Sequence, residues 1–261
     1  MPTRTILPAW PKGVVIGALS LLLAACGTAP EQPGTGVAGR WAGRPIGSPP
    51  APMPAIRQAI LSSAIREWEF FGRQTVILRN TEESIPHVGA WEDDGGIYSS
   101  RVNAYWRAVG EPGLDGMDCQ SPWSAAFISW IMKSAGVPES QFPPAIAHWV
   151  YLARSIEAAS EPGRWFVPRR VADYSPRPGD LVCASRGASR SGIRDGDISA
   201  SQLQGLSSHC DLVVSHSGRT LDVIGGNVRN SVSRTTLELD TQGRLQVVPR
   251  RPWFIILENR L

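Results

Sequence analysis

Pro122-Trp123-Ser124-Ala125-Ala126-Phe127-Ile128-Ser129-Trp130 is the stretch on which the reading of this chain turns. Proline suits the first turn of a helix and Gly136 marks a stop, so the spacing predicts a helix over 122–135. Ser124 then stands near the helix N-terminus, where unpaired N–H groups and the helix dipole favour negative charge. A thiol in that place would gain thiolate character; a hydroxyl gains far less and needs a well-aligned base before it reacts. Two readings of Ser124 are open at this point, a capping residue or a nucleophile waiting for its base.

Working outward, the first half of the chain is helical in pattern. Ile56, Ile60, Ala64, Trp68 and Phe71 recur at helical spacing, as do Val102, Tyr105, Trp106 and Val109 before Gly110. Residues 81–96 hold turn formers and acids and read as a loop. Residues 145–159 form a further helix, stopped by Glu161-Pro162-Gly163. The second half changes period. Short β-type runs are expected at 180–184, 210–215, 220–224, 231–239, 245–248 and 253–257, with turn signals such as Ser217-Gly218 and Gln242-Gly243 between them. Helices followed by an antiparallel strand series make the fold α+β. The stretch 186–208 is long for a hairpin connection and reads as a lid or specificity loop.

The N-terminus is a separate matter. Arg4 and Lys12 precede or begin an apolar run from Gly13 to Leu22, and Leu23-Ala24-Ala25-Cys26 follows. The run is short for a membrane span and reads as a secretory signal. Cys26 sits where a bacterial lipobox places its cysteine, so residues 1–25 are expected to be a lipoprotein signal peptide and Cys26 the lipidated residue. Gly27 after it, by resemblance to lipoprotein sorting, directs the protein to the outer membrane, facing the periplasm. Residues 26–54 are rich in Gly, Pro and Ala and read as a flexible tether, which leaves 55–261 as the folded domain. Loss of residues 1–25 removes two of the twenty-six Lys and Arg residues, leaving twenty-four cations against twenty-three acids, a charge of +1. That balance gives no reason to expect nucleic acid as a partner. Lysine is confined to Lys12 and Lys133, and the excess of arginine reads as genome composition.

Three signals recur in order: Trp123-Ser124-Ala125-Ala126-Phe127, Pro178-Gly179-Asp180-Leu181-Val182 and His209-Cys210-Asp211-Leu212-Val213-Val214, followed by Gly225-Gly226-Asn227. This order resembles the NlpC-type and CHAP-type peptidases and amidases of the papain-like superfamily, over roughly residues 114–257, with serine in place of the nucleophilic cysteine. More narrowly, it resembles an uncharacterised bacterial lipoprotein family carrying domain of unknown function 2272. The resemblance implies a papain-like domain, N-terminal helices packed on a small antiparallel sheet, with the site in the groove between.

By that resemblance Ser124 is the nucleophile, His209 the base and Asn227 the residue that orients it. Asp211 lies two residues after His209 on the same strand face and is a second candidate orienter, as is Asp222. Trp123, Asp180 and the pair His148 and Tyr151, one helical turn apart, are candidates to line the groove or orient the base; core packing is the alternative for the pair. Cys183 and Cys210 fall on strands expected to be neighbours, so a cross-strand disulfide is one expectation. Cys119 reads as a buried thiol. No cofactor is expected, and no metal, because His209, Cys210 and Asp211 are consecutive and alternate between strand faces. No Gly-x-Ser-x-Gly elbow is present. The expected activity is amide hydrolysis on peptidoglycan or peptide, with the membrane met through the lipid at Cys26. The rival is an inactive domain that binds cell wall or an envelope protein.

Overall fold

The computed structural model describes residues 53–79, 82–187, 193, 198–246 and 248–261. The signal peptide, Cys26 and all but the last two residues of the expected tether lie outside the described residues. Those two, Met53 and Pro54, already belong to helix α1 (Met53–Phe70). The other helices are α2 (Gly96–Ala108), α3 (Ser124–Ser134), α4 (His148–Glu157) and the single turn α5 (Ala200–Leu203). None of the described helices is long and apolar enough to cross a membrane.

The strands are β1 (Thr75–Arg79), β2 (Glu82–His87), β3 (Phe166–Arg169), β4 (Leu181–Ser185), β5 (Ser208–Ser217), β6 (Thr220–Val228), β7 (Ser231–Glu238) and β8 (Trp253–Asn259). They form one sheet in the order β2-β1-β7-β6-β5-β4-β8-β3. The class is therefore α+β, but the sheet is neither small nor wholly antiparallel. It has eight strands, and β1 runs parallel to β7.

Side chains alternate across the sheet, as the two-residue period of a strand requires. Cys183, Cys210, Leu212 and Ile224 join the core under the helices with Ile60, Phe127 and Leu152. Val182, Ala184, Val213 and Val223 point into a second core with Trp253 and Ile256. Helix α3 is buried along nearly all its length and packs on β5 and β6, while α4 packs on β3 and β5. That packing brings the starts of two helices to the strands carrying His209 and Asn227.

Three expectations fail for identifiable reasons. The loop expected over 81–96 contains β2, whose sequence Glu-Glu-Ser-Ile-Pro-His is largely exposed and shows no apolar alternation. Its acids and proline suit a sheet edge, where they block further pairing. The strand expected over 245–248 is reduced to isolated bridges, Leu239 with Leu245 and Val248 with Arg251. There Asp240 accepts hydrogen bonds from the Gln242 and Arg244 N–H groups, closing a turn that takes donors a ladder would use. Strands β1 and β3 have no counterpart among the expectations; the Pro168 of β3 argues against a strand and is tolerated because β3 lies at the other edge.

The expected disulfide is present. Cys183 and Cys210 are directly opposed in the antiparallel β4–β5 ladder and bonded to each other, closing a loop of 27 residues in sequence separation. Constraint of the unfolded chain by a loop of that length is worth about 3 kcal/mol. The double substitution Cys183→Ala, Cys210→Ala should lower unfolding free energy by about that amount in a denaturant titration; a stability equal to the parent's would show that the bridge contributes nothing.

Candidate functional site

Trp123 is the N-cap of α3, with φ −97° and ψ 9° and no side-chain capping bond, so Ser124 is the first helical residue. Its hydroxyl is not spent on a cap. Trp123 itself does not line a groove: it is fully buried, its indole N–H donates to the carboxylate of Glu92, and its ring lies against Phe71 and Tyr105. Burial pushes the Glu92 carboxyl up, the Trp123 bond opposing it. Trp123 thus anchors the helix start that presents Ser124.

The Ser124 Oγ lies 2.7 Å from His148 Nε2, where His209 was expected. His148 is the first residue of α4, and its Nδ1 is hydrogen-bonded to the hydroxyl of Tyr151, one turn further on. All three residues are buried. Burial, then the charges of His209 and Arg186, hold His148 well below its ordinary pKa, so the ring is neutral. Burial also pushes Tyr151 well above 10, and the phenol keeps its proton. Among the described residues the Tyr151 and Ser124 hydroxyls each have His148 as their one side-chain partner, and a neutral imidazole offers one donor and one acceptor. The chain of hydrogen bonds runs either from Tyr151 through His148 Nε2–H to Ser124, or from Ser124 through His148 Nδ1–H to Tyr151.

His209 stands at the start of β5, its ring edge-on to that of His148 with centroids 5.6 Å apart. Its Nε2 lies 2.8 Å from Asp211 Oδ1, and Asp211 Oδ2 accepts from Arg251 Nη1 at 2.7 Å. Burial alone would raise the Asp211 carboxyl, but His209 and Arg251 outweigh it and hold the group down at about 2. An ionised carboxylate only accepts, so His209 Nε2 is the donor. In the neutral ring Nδ1 then holds the free lone pair.

Strand β6 passes close over this pair. A Cβ on Gly225 would overlap the Asp211 carboxylate and crowd His209, and one on Gly226 would come within 2.5 Å of Phe127. Only glycine fits at both positions. Asn227 follows in a bulge of the β6–β7 ladder, with φ +56°, a conformation asparagine tolerates better than most residues. It lines the same cavity as His209. Among the described residues no hydrogen bond joins the two, and the role expected of Asn227, partner to the His209 ring, falls to Asp211.

Other expectations move away from the site. Asp180, wholly buried, accepts from the Arg177 and Asn259 N–H groups and from the Tyr174 hydroxyl; it fastens the turn before β4 to the end of β8. Asp222 takes bonds from Ser215 and Thr236, on its own hairpins. Cys119 is exposed rather than buried, at φ +52°, and desolvation of its thiol together with Glu92 and Asp93 pushes it up to about 11. A thiol so raised is a poor nucleophile at neutral pH.

Sequence reasoning missed the arginines. A cavity of about 440 Å³ beside His209 and Asn227 is lined by Arg186, Arg229, Arg250 and Arg251 together with Ser185 and Glu83. The signal was there: Arg186 directly follows β4 and Arg250-Arg251 shortly precede β8, its neighbour, so antiparallel pairing brings them to one end of the sheet. Among the described residues no group of three or more His, Cys, Asp or Glu is placed to hold a metal ion.

Residues 88–259 match the profile of a family described as uncharacterized protein conserved in bacteria (DUF2272). No curated protein and no solved structure matches the chain.

The state of His148 has a consequence for stability. Unfolded, the imidazole takes a proton below about pH 6.5; folded, it does not, so the unfolded state binds more protons and stability falls as pH drops through that range. The slope from one such group approaches about 1.4 kcal/mol per pH unit. His148→Gln should flatten the fall between about pH 6.5 and 5 relative to the parent in parallel denaturant titrations. Curves of equal slope would mean that His148 titrates normally in the folded protein.

Proposed function

This chain belongs to the bacterial family DUF2272, and from that premise we propose that it is an envelope-anchored amide hydrolase with a papain-like groove and a serine nucleophile. The observation that carries the reading is the hydrogen bond between Ser124, at the first residue of α3, and His148, beside the His209–Asp211 pair. The papain-like assignment is supported by the order of parts: a helix presenting Ser124, the Pro178-Gly179-Asp180 turn before β4, and His209 at the start of the next strand. The disulfide fits an oxidising compartment such as the periplasm. With it go lipidation at Cys26, an outer-membrane anchor facing the periplasm, and peptidoglycan peptides as the substrate class.

The two histidines divide the work. His148, in the arrangement that runs from Tyr151 to Ser124, is a donor toward Ser124 Oγ and steadies negative charge there. His209, oriented by Asp211, is the base. When a substrate amide enters, Ser124 Oγ bonds to its carbonyl carbon and the hydroxyl proton passes to His209 Nδ1. The resulting oxyanion is met by free N–H groups in the first turn of α3. Collapse breaks the C–N bond, and the proton on His209 goes to the leaving amine. Water then hydrolyses the acyl-serine by the same route in reverse, returning Ser124 and a carboxylic acid. Catalytic hydrogen bonds that are open in a resting site tighten when substrate is bound, and proton transfer from Ser124 to His209 requires such a closure.

The second reading, an inactive domain that binds cell wall or an envelope protein, is favoured by one observation: Ser124 is 1% and His148 4% exposed. Release of amines from peptidoglycan fragments by the full chain separates the two. The hydrolase reading expects Ser124→Ala and His209→Ala each to lower kcat/KM by about 10³-fold or more, with His148→Gln, which keeps a donor, losing much less. No turnover by the parent between about pH 5 and 9, with no labelling of Ser124 by a serine-directed probe, would establish the binding module instead.

A further inference from the structure

The cavity next to His209 is basic and built. Arg229 and Arg251 spend their charge on Glu83 and Asp211, at 2.5 and 2.7 Å. Arg186 and Arg250 have no ion-pair partner among the described residues, yet both line the cavity. Arg186 is half-buried, and among the described residues no carboxylate offsets its desolvation. An unpaired guanidinium in such a place is costly unless something negative visits it.

We propose that this cavity is an oxyanion subsite, in which Arg186 and Arg250 grip a carboxylate or phosphate group. It rests on the reading of Ser124 and His209 as the reacting end of the same groove, with the anion held a short distance from the scissile amide. Guanidinium groups suit planar oxyanions because their N–H donors bind two oxygens at once. Asn227 lines the same cavity as His209 and Arg229. The predicted substrate is thus an acidic peptide with a free carboxylate near the cleaved bond, and the competing source of the same chemistry is free phosphate.

Calorimetric titration of the full chain carrying Ser124→Ala tests this without turnover, so a failure of hydrolysis and a failure of the subsite read out separately. The probes are the tripeptide Ala-Glu-Lys with free carboxylates, the same peptide with every carboxylate amidated, and inorganic phosphate. The free-acid peptide should bind at least tenfold more tightly than its amidated form, and more weakly as salt is raised. Arg186→Gln should cost at least tenfold, Arg186→Lys less, and Arg107→Gln, on the exposed face of α2 away from the cavity, nothing. Phosphate binding that depends on Arg186, without peptide binding, would assign the same subsite to phosphate. Equal affinity for the acid and amidated peptides, binding unchanged in a folded Arg186→Gln protein, or no binding of any probe would overturn the proposal.

Discussion

The carboxylate of Asp211 is the group around which the site is organised. It is wholly buried and ionised, a state that burial opposes strongly unless both oxygens find donors. Each oxygen has one: His209 on the first, Arg251 on the second. That requirement fixes the ring of His209, ties β5 to the segment before β8, and excludes any side chain at Gly225 from the crossing strand. The charge also reaches across the groove. It is one of the few influences that pull the pKa of His148 upward, against burial, His209 and Arg186. One buried charge thus sets the orientation of one histidine and tempers the other.

The second histidine is governed by a different constraint, its place between two buried hydroxyls, Tyr151 at Nδ1 and Ser124 at Nε2. The chain Tyr151, His148, Ser124 runs along the start of α4 to the start of α3, two helix ends held in place by their packing on the sheet.

Much of this was legible beforehand, and what was not has physical causes. The helix over 122–135, the turn at 178–180, the strand opened by His209 and the disulfide partners all carry local signals: proline and glycine punctuation, and apolar periodicity. Asp211 could be named as an orienter because two residues along a strand share a face. The Ser124–His148 bond could not, because it depends on how α3 and α4 cross, which no local pattern encodes. Nor could the identity of Asn227: Gly-Gly-Asn announces a close approach, and the approach is to Asp211 and Phe127 rather than to the histidine's free nitrogen. The edge strands β2 and β3 were hidden for the opposite reason, since edges are built from residues that weaken a strand's signature. The arginines were visible as composition and invisible as a cluster. Three of the four, Arg186, Arg250 and Arg251, meet around one cavity only once β4 and β8 are neighbours, and Arg229 joins them from the β6–β7 turn.

The account stands or falls on which ring nitrogens carry hydrogen, because that decides which histidine can take a proton from Ser124. Nitrogen-15 NMR of the histidine-labelled protein, assigned with His148→Gln and His209→Gln variants, reads this directly near neutral pH. The account predicts that His148 is neutral with its hydrogen on Nε2, and that His209 carries hydrogen on Nε2 with a lone pair on Nδ1 once the ring is neutral. A His148 ring protonated on Nδ1 alone, with Nε2 accepting from Ser124, would contradict it and make His148 the base.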